Sequence, residues 1–231
     1  MTYILHLETT TKSCSVVLSL NESIIAKKES QASYTHSENL TLFIEEVMVQ
    51  SCLSFKLLDA IAISKGPGSF MGLRIGASTA KGLCYALNKP LIAVDTLKAM
   101  ALKARILFPK ENAYYCPMLD ARRMEVYCAL YDSSNKCILP TSAKIIDKHS
   151  FEEELDTHII YFFGDAAAKC KDVFKNNANA VIVEDYIMTA DALIPLALTH
   201  FKENKFEDLA YFEPFYLKDF VPGIPKVKGL K

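Results

Sequence analysis

A glycine-rich stretch contains the residues whose types and spacing most resemble a chemical motif. Residues 66–76 read GPGSFMGLRIG, and five of the eight glycines of the 231-residue chain lie between Gly66 and Gly82. Glycine permits turns and close approaches that a side chain would block. Such a stretch serves a phosphate-binding loop, a strained nucleophile turn, or a surface that another helix approaches closely.

The phosphate and nucleophile motifs do not fit this stretch. The P-loop spacing is absent, and the dinucleotide pattern G-x-G-x-x-G fails because Met71 stands where its third glycine belongs. Ser69 lacks the G-x-S-x-G frame of a nucleophile elbow. A serine before an apolar run typically caps a helix. Ser69 is therefore predicted to be a helix cap, and no catalytic residue is assigned.

Two carboxylates, Glu8 and Asp120, end apolar runs at positions that suit a nucleotide or Mg²⁺. A phosphate-binding hairpin after such an acid needs backbone N–H groups that side chains do not cover, but residues 9–13 and 121–124 contain no glycine. The hydroxyls of residues 9–11 remain able to reach a phosphate, although an ordinary polar turn is the preferred interpretation. The five histidines form no metal-binding pair motif. No cofactor-binding or metal-binding residue is predicted.

Hydrophobic periodicity predicts two series of elements in the same order, three strands and then helix–strand–helix–strand–helix. The first series comprises strands 3–8, 14–20 and 24–29, helix 36–53, strand 58–64, helix 69–87, strand 91–94 and helix 96–107. The second comprises strands 115–120 and 125–131, one near 142–146, helix 151–155, strand 159–163, helix 166–176, strand 180–183 and helix 190–204. This order predicts two ribonuclease-H-like domains at 1–108 and 109–220, with a basic tail at 221–231.

Composition favours a globular protein that does not bind nucleic acid by itself. Hydrophobic residues make up 51% of the chain and the net charge is −1, whereas nucleic-acid binding usually requires a basic excess. The Arg122–Arg123 pair and the lysines of the tail are interpreted as solvated surface. Seven scattered cysteines without a C-x-x-C spacing indicate reduced thiols. Because the sequence shows neither a signal peptide nor a membrane-length apolar stretch, the protein is predicted to be cytoplasmic.

Two predicted helices carry more apolar or small surface than one core contact needs. In helix 36–53, Leu42, Val49 and Leu53 fall off the core stripe and form a second apolar line. In helix 69–87, Gly72 and Gly76 begin a small-residue face, although each interior glycine costs about 1 kcal/mol. Either a partner helix or an internal neighbour explains this face.

Several segments together resemble one known family. They are HLETTTKSCSVVL, THSENL, KGPGSFMGLRIG, LIAVDTL and MLDARRMEVYCALY. The pattern is similar to the TsaB family of bacterial tRNA threonylcarbamoyladenosine biosynthesis proteins. The similarity is good over residues 1–131 and thins to GDAAAK and EPFYLK beyond them. Family members usually have Thr where Met71 stands and Arg where Lys218 stands.

The resemblance implies a fold and a task. The implied fold is α/β, with two tandem actin-like domains, each a mixed five-stranded sheet flanked by helices. The implied task is that of a non-catalytic scaffold for TsaD, the subunit that transfers threonylcarbamoyl to N6 of adenosine 37 in ANN-reading tRNAs. An ATPase, TsaE, joins that complex. An ATPase or small-molecule kinase of the same superfamily is the alternative.

The resemblance also implies where partners and ligands bind. The helices 36–53 and 69–87 form a helical bundle with the partner in this family. The interface residues expected here are Leu42, Glu46, Val49, Leu53, Gly72, Gly76, Thr79 and Ala80. ATP or ADP is expected only at the interface of an assembled complex, tRNA only through the complex, and a homodimer when the chain is alone.

Overall fold

Two five-stranded mixed sheets flanked by helices make up the computed structural model, which describes residues 1–31 and 36–218. The strands are β1 Tyr3–Glu8, β2 Cys14–Leu20, β3 Ser23–Ser30, β4 Ala60–Gly66, β5 Leu91–Asp95, β6 Ala113–Asp120, β7 Glu125–Tyr131, β8 Cys137–Ile145, β9 Ile159–Phe163 and β10 Ala180–Val183. The α-helices are α1 His36–Ser51, α2 Phe70–Leu87, α3 Thr96–Leu107, α4 Glu152–Thr157, α5 Lys171–Phe174 and α6 Ile194–Lys202. The predicted basic tail lies outside the described residues.

The two sheets share one topology. Their strand orders are β3-β2-β1-β4-β5 and β10-β9-β6-β7-β8. In each sheet the first strand of the series pairs antiparallel with the second and parallel with the fourth. The predicted fold class is therefore confirmed. No helix in the described ranges is long and apolar enough to cross a membrane.

Helices α1 and α2 cover the same face of the first sheet. Leu40, Ile44 and Val47 of α1 pack in one core with Ala77 and Ala80 of α2 and the side chains of β1, β2 and β4. The opposite face packs against α3 and residues 186–198. Because α6 contacts β5 and β1, a helix of the predicted second domain packs against the first sheet. The boundary at residues 108 and 109 stays a prediction.

Several predicted elements differ from the structure in their limits, and three of these differences have a clear physical reason. Helix 166–176 is reduced to a 3-10 turn, Ala168–Cys170, followed by α5. After Phe174 the Asn177 side chain accepts a hydrogen bond from the Asn179 N–H at 2.9 Å, which forms a turn instead of extending the helix. Helix 190–204 starts as a 3-10 turn and becomes α-helical at Ile194, next to Pro195, which suits a first helical turn. Strand β8 is longer than predicted and accommodates Pro140 because it lies at a sheet edge.

Candidate functional site

Ser69 begins α2 and is engaged in backbone contacts. Its Oγ accepts a hydrogen bond from the Gly72 N–H at 3.3 Å, which is the N-cap geometry. Its own N–H donates to the Thr10 carbonyl at 2.7 Å. These contacts join the start of α2 to the loop between β1 and β2, and they give Ser69 a structural task.

The glycines of α2 accommodate that same loop. A Cβ at Gly72 would lie 1.9 Å from the Thr9 carbonyl oxygen, and one at Gly76 would lie 2.5 Å from Thr9 Oγ1. At Gly68 a Cβ would lie 2.6 Å from Thr10 Cβ. The Thr9 hydroxyl also donates to the Gly72 carbonyl at 2.8 Å. The close neighbour of these glycines is therefore internal.

This arrangement corrects part of the expected interface. Gly72, Gly76 and Ala80 are buried inside the molecule, so the expectation that they lie on an exposed face is wrong. Leu53 follows α1 and packs against the core of the first sheet, so it does not continue the outer apolar line. Thr79 is half-buried. For Gly72 and Gly76 the physical reason is the close approach of α2 to the β1–β2 loop, and for Ala80 it is packing in the core of the first sheet.

The β1–β2 loop has no outward-facing phosphate cradle. The side chains of Thr9, Thr10 and Thr11 are all buried. The Thr10 N–H, which a phosphate would need, donates to Glu8 Oε1 at 2.6 Å. The start of α2 fills the space beside the loop. The polar-turn interpretation of residues 9–13 therefore describes the loop better than phosphate binding does.

Glu8 is fully buried and hydrogen-bonded on both oxygens. Oε1 accepts from Thr10, and Oε2 accepts from the Ser64 hydroxyl. Burial raises the pKa of Glu8, although the bonds from Ser64 and Thr10 and the charge of Lys103 oppose the rise. A buried carboxyl with a raised pKa and both oxygens already hydrogen-bonded is a poor Mg²⁺ ligand. Within residues 1–31 and 36–218, the structure has no group of three His, Cys, Asp or Glu that could hold a metal.

Asp120, at the corresponding position of the second sheet, has the opposite environment. Its side chain is about half exposed, and Oδ1 accepts from the Lys169 ammonium and from the Arg122 N–H at 3.1 Å. Its N–H donates to Asp165 Oδ1 at 3.0 Å. Asp120 is therefore part of an ion-paired surface turn.

A polar layer that the sequence reasoning missed lies between β1, β2 and residues 189–191. His6 Nε2 contacts Ser19 Oγ at 2.8 Å. Burial lowers the pKa of His6 to about 3, although the negative charge of Asp191 opposes this shift. Lys103 of α3 contacts Asp191 at 3.1 Å. The sequence signal for this layer was the recurrence of polar residues at alternate positions of β1 and β2, such as His6 on β1 and Ser15 on β2.

The outer sides of α1 and α2 present exposed apolar residues. Exposure reaches 53% for Leu42 and 71% for Val49 on α1, and 61% for Met71 and 83% for Tyr85 on α2. Between the last two lies Gly82, where an added Cβ would meet no atom within 4 Å. We call these five residues the α1/α2 face. The sequence reasoning missed its α2 members, whose helical spacing was visible in the sequence.

Charges differ between the two helices. Helix α1 carries Glu38, Glu45 and Glu46, and it has no Lys or Arg; Glu46 contacts Lys28 of β3 at 2.8 Å. Helix α2 carries Arg74 and Lys81 and no carboxylate. The Lys81 ammonium donates to carbonyls of the chain after α6, at residues 210 and 212. The α1/α2 face is thus flanked by acidic residues on one helix and basic residues on the other.

Comparison with known proteins gives one family match and several relatives. The model of the family described as "TsaD: tRNA N6-adenosine threonylcarbamoyltransferase" matches residues 23–225. The TsaB protein of Haemophilus influenzae is 38% identical over 124 residues, which is 54% of this chain and 51% of that protein. The TsaB protein of Buchnera aphidicola is 30% identical over 155 residues, 66% of this chain and 69% of that protein. The chain thus spans about half of the first relative and two thirds of the second.

A solved structure named YeaZ, from Pseudomonas aeruginosa, matches with a TM-score of 0.79 at 23% identity. The match covers 94% of this chain and 100% of that one. At this identity the comparison supports the fold alone.

Proposed function

We propose that this chain, which belongs to the TsaB family and matches the TsaD family model over residues 23–225, takes part in tRNA threonylcarbamoyladenosine biosynthesis as a non-catalytic subunit. The observation that carries the non-catalytic part is the packing of α2 against the β1–β2 loop. In proteins of this architecture the loop after the first strand serves phosphate binding. Here Thr9 fills the space beside α2, and Glu8 uses the Thr10 N–H.

The proposed direct partner is a TsaD-type transferase subunit, bound through the α1/α2 face. An exposed apolar patch with charged neighbours suits a protein partner. A partner built like this chain would present two similar helices. The acidic α1 would then pack near a basic helix of the other protein, and the basic α2 near an acidic one.

The remaining components join the assembly in this proposal without contacting a catalytic site on this chain. A TsaE-type ATPase binds the larger complex, and ATP or ADP binds only where subunits meet. Transfer RNA binds through the complex. When the transferase subunit is absent, two copies of this chain cover the α1/α2 face of each other, because a two-fold axis lets one patch meet itself.

A double variant, Leu42→Asp with Val49→Asp, tests the partner surface. Both side chains are exposed and point away from the core, so the monomer should keep its melting temperature. Two buried carboxylates in an apolar contact should weaken binding of the TsaD-type subunit at least tenfold, or about 1.4 kcal/mol. Isothermal titration measures this affinity, and tRNA threonylcarbamoylation by the reconstituted complex should fall in parallel.

Ile145→Asp is the matched control, because Ile145 is 70% exposed on β8 of the other sheet. It should leave partner affinity unchanged. Equal weakening by this control, or full affinity of the double variant, would exclude the α1/α2 face as the partner surface.

The alternative of an ATPase or small-molecule kinase is tested on the isolated chain. Titration with Mg-ATP should give no binding in the micromolar range and no turnover, because the loop donors are already used. Micromolar binding with turnover that Glu8→Gln abolishes would favour the enzyme and refute the scaffold proposal.

A further inference from the structure

The turn between β6 and β7 has an unusual backbone at two successive arginines. Arg122 has φ 72° and Arg123 has φ 47°, so both lie in the left-handed region. The turn is closed by hydrogen bonds from the Glu125 N–H to the Arg122 carbonyl at 3.1 Å and from the Ala121 N–H to the Glu125 carbonyl at 3.2 Å. Turns with two positive φ values strongly prefer Asn-Gly, because a Cβ is disfavoured there. Arginine at both positions therefore opposes the local backbone preference.

Within residues 1–31 and 36–218, neither guanidinium group has a carboxylate partner. Arg122 and Arg123 are exposed, and the described residues hold no ion pair with either side chain. The nearby carboxylates are used by other cations, since Asp120 pairs with Lys169 and Glu125 pairs with Lys218. Two adjacent positive charges on one turn are therefore not paired by any carboxylate of the described residues. Exposed residues that oppose the backbone preference, and whose charges have no ion pair in the described part of the chain, indicate a function outside the molecule.

A third cation comes from the corresponding loop of the first sheet. Lys12 is exposed in the β1–β2 loop. Burial raises the pKa of Asp165, and the charges of Lys12 and Lys169 oppose that rise. Asp165 accepts the Asp120 N–H, two residues before Arg122. Lys12 therefore lies within electrostatic range of Asp165, which binds the start of the β6–β7 turn, and we call Lys12, Arg122 and Arg123 the loop cation patch.

We propose that the loop cation patch binds the phosphodiester backbone of the tRNA substrate in the assembled complex. The inference rests on the proposed function and adds a direct contact between this chain and RNA. Neighbouring guanidinium groups present forked N–H donors that match phosphate oxygens. The chain has a net charge of −1, so the patch contributes to RNA binding that other subunits share and is insufficient alone. The contact positions tRNA without reading its sequence.

The decisive variant is Arg122→Asn with Arg123→Gly. It installs the pair that the turn prefers, so the β6–β7 hairpin should remain and the melting temperature should rise by about 2–4 °C. The affinity of the assembled complex for an unmodified tRNA transcript, measured by fluorescence anisotropy, should fall about tenfold at low salt. The slope of log affinity against log salt should decrease by about 1 for each phosphate that the variant no longer neutralises.

Three further variants separate the explanations. Arg122→Lys with Arg123→Lys keeps both charges and should keep most of the salt slope. Lys12→Gln removes one charge from the other loop, leaves the strained turn untouched and should lower the slope by about 1. Lys171→Gln with Lys175→Gln removes two exposed charges, one from α5 and one from the residue that follows it, and should change neither affinity nor slope.

Unchanged RNA affinity in the Asn-Gly and Lys12 variants would overturn the inference. An equal loss in the α5 control would overturn it as well, because general charge would then account for the effect. Weaker binding of the TsaD-type or TsaE-type subunit with full RNA affinity would assign the patch to an acidic protein partner. Failure of the proposed function has a different signature, namely a wild-type chain that neither binds the transferase subunit nor supports tRNA modification.

Discussion

At the residue scale, burial separates two carboxylates that look equivalent in the sequence. Glu8 and Asp120 both end the first strand of a five-stranded sheet. Desolvation favours the neutral form of Glu8, whereas Asp120 is exposed and paired with Lys169. Strand position alone therefore does not define the chemistry of an acid.

Replacing Glu8 with Gln should cost little stability. Gln keeps an oxygen for the Thr10 donors and offers an NH₂ group to the Ser64 hydroxyl. The pKa of Glu8 is raised in the folded state, so the stability that its proton provides is present below about pH 4.5 and is lost as pH rises through the folded pKa. The free energy of unfolding of the Gln variant should therefore increase relative to that of wild type as pH rises above 4.5, which urea unfolding measures.

Glu8→Ala is the control for this measurement. It removes both acceptors and leaves the Thr10 donors unsatisfied, which should cost about 3 kcal/mol. If Glu8→Gln were as unstable as Glu8→Ala across the whole pH range, a neutral hydrogen-bonded side chain would not be sufficient at this site, which would contradict the raised pKa of Glu8.

At the element scale, α2 contains glycines with opposite requirements. Gly72 lies against the Thr9 carbonyl, whereas Gly82 faces open space. Gly72→Ala should destabilise the protein by about 3 kcal/mol, because helix and loop must separate. Gly82→Ala should stabilise it by about 1 kcal/mol, because Ala is the better helix former. Thermal unfolding of the two single variants gives the comparison, and equal effects would contradict the packing of α2 on the β1–β2 loop.

The N-cap of α2 gives a separate prediction. Ser69→Ala removes the bond to the Gly72 N–H and should lower stability by about 1 kcal/mol. Modification of tRNA by the reconstituted complex should remain largely intact. A tenfold loss of modification with normal folding would show that Ser69 acts in the reaction. Ser69→Asp, which preserves an N-cap acceptor, is the control for stability.

At the scale of the whole molecule, a polar cluster connects distant parts of the sequence. Lys27 of β3 and Lys103 of α3 contact Asp191, and the Ala190 N–H donates to Ser15 Oγ at 2.8 Å. Burial favours a higher pKa for Asp191, but the Thr189 hydroxyl and both ammonium groups outweigh it and lower the pKa. The cluster therefore stabilises the packing of residues 189–191 on the first sheet while Asp191 is charged.

Asp191→Asn should destabilise the protein by roughly 1–3 kcal/mol at pH 7, because two ammonium groups lose a charged partner. Since the folded pKa lies below the ordinary value of 3.8, the contribution is present above that pH and is lost as pH falls through the folded pKa. The difference in free energy of unfolding between wild type and variant should therefore narrow as pH falls below 3.8. Glu203→Gln, on the surface after α6, should produce no comparable gap.

Local sequence patterns were sufficient to predict the order of elements and to exclude several motifs. Alternating and helical periodicities placed the strand series 3–8, 14–20 and 24–29 close to β1, β2 and β3, because these patterns depend on neighbours in the chain. Missing glycines after Glu8 and Asp120 argued against phosphate loops for the same local reason. The segments up to residue 131 resembled the TsaB family, to which the chain belongs.

The burial of small and polar residues, in contrast, became visible only in the folded molecule. Gly76 and Gly82 occupy one helix, yet the first lies against Thr9 and the second faces solvent, since this depends on a loop that is distant in sequence. Likewise, Arg122 and Arg123 resembled ordinary solvated surface until the turn showed positive φ at both. Backbone conformation at a turn and close contact between distant segments are set by the closing of the whole fold, and a single sequence pattern does not encode them.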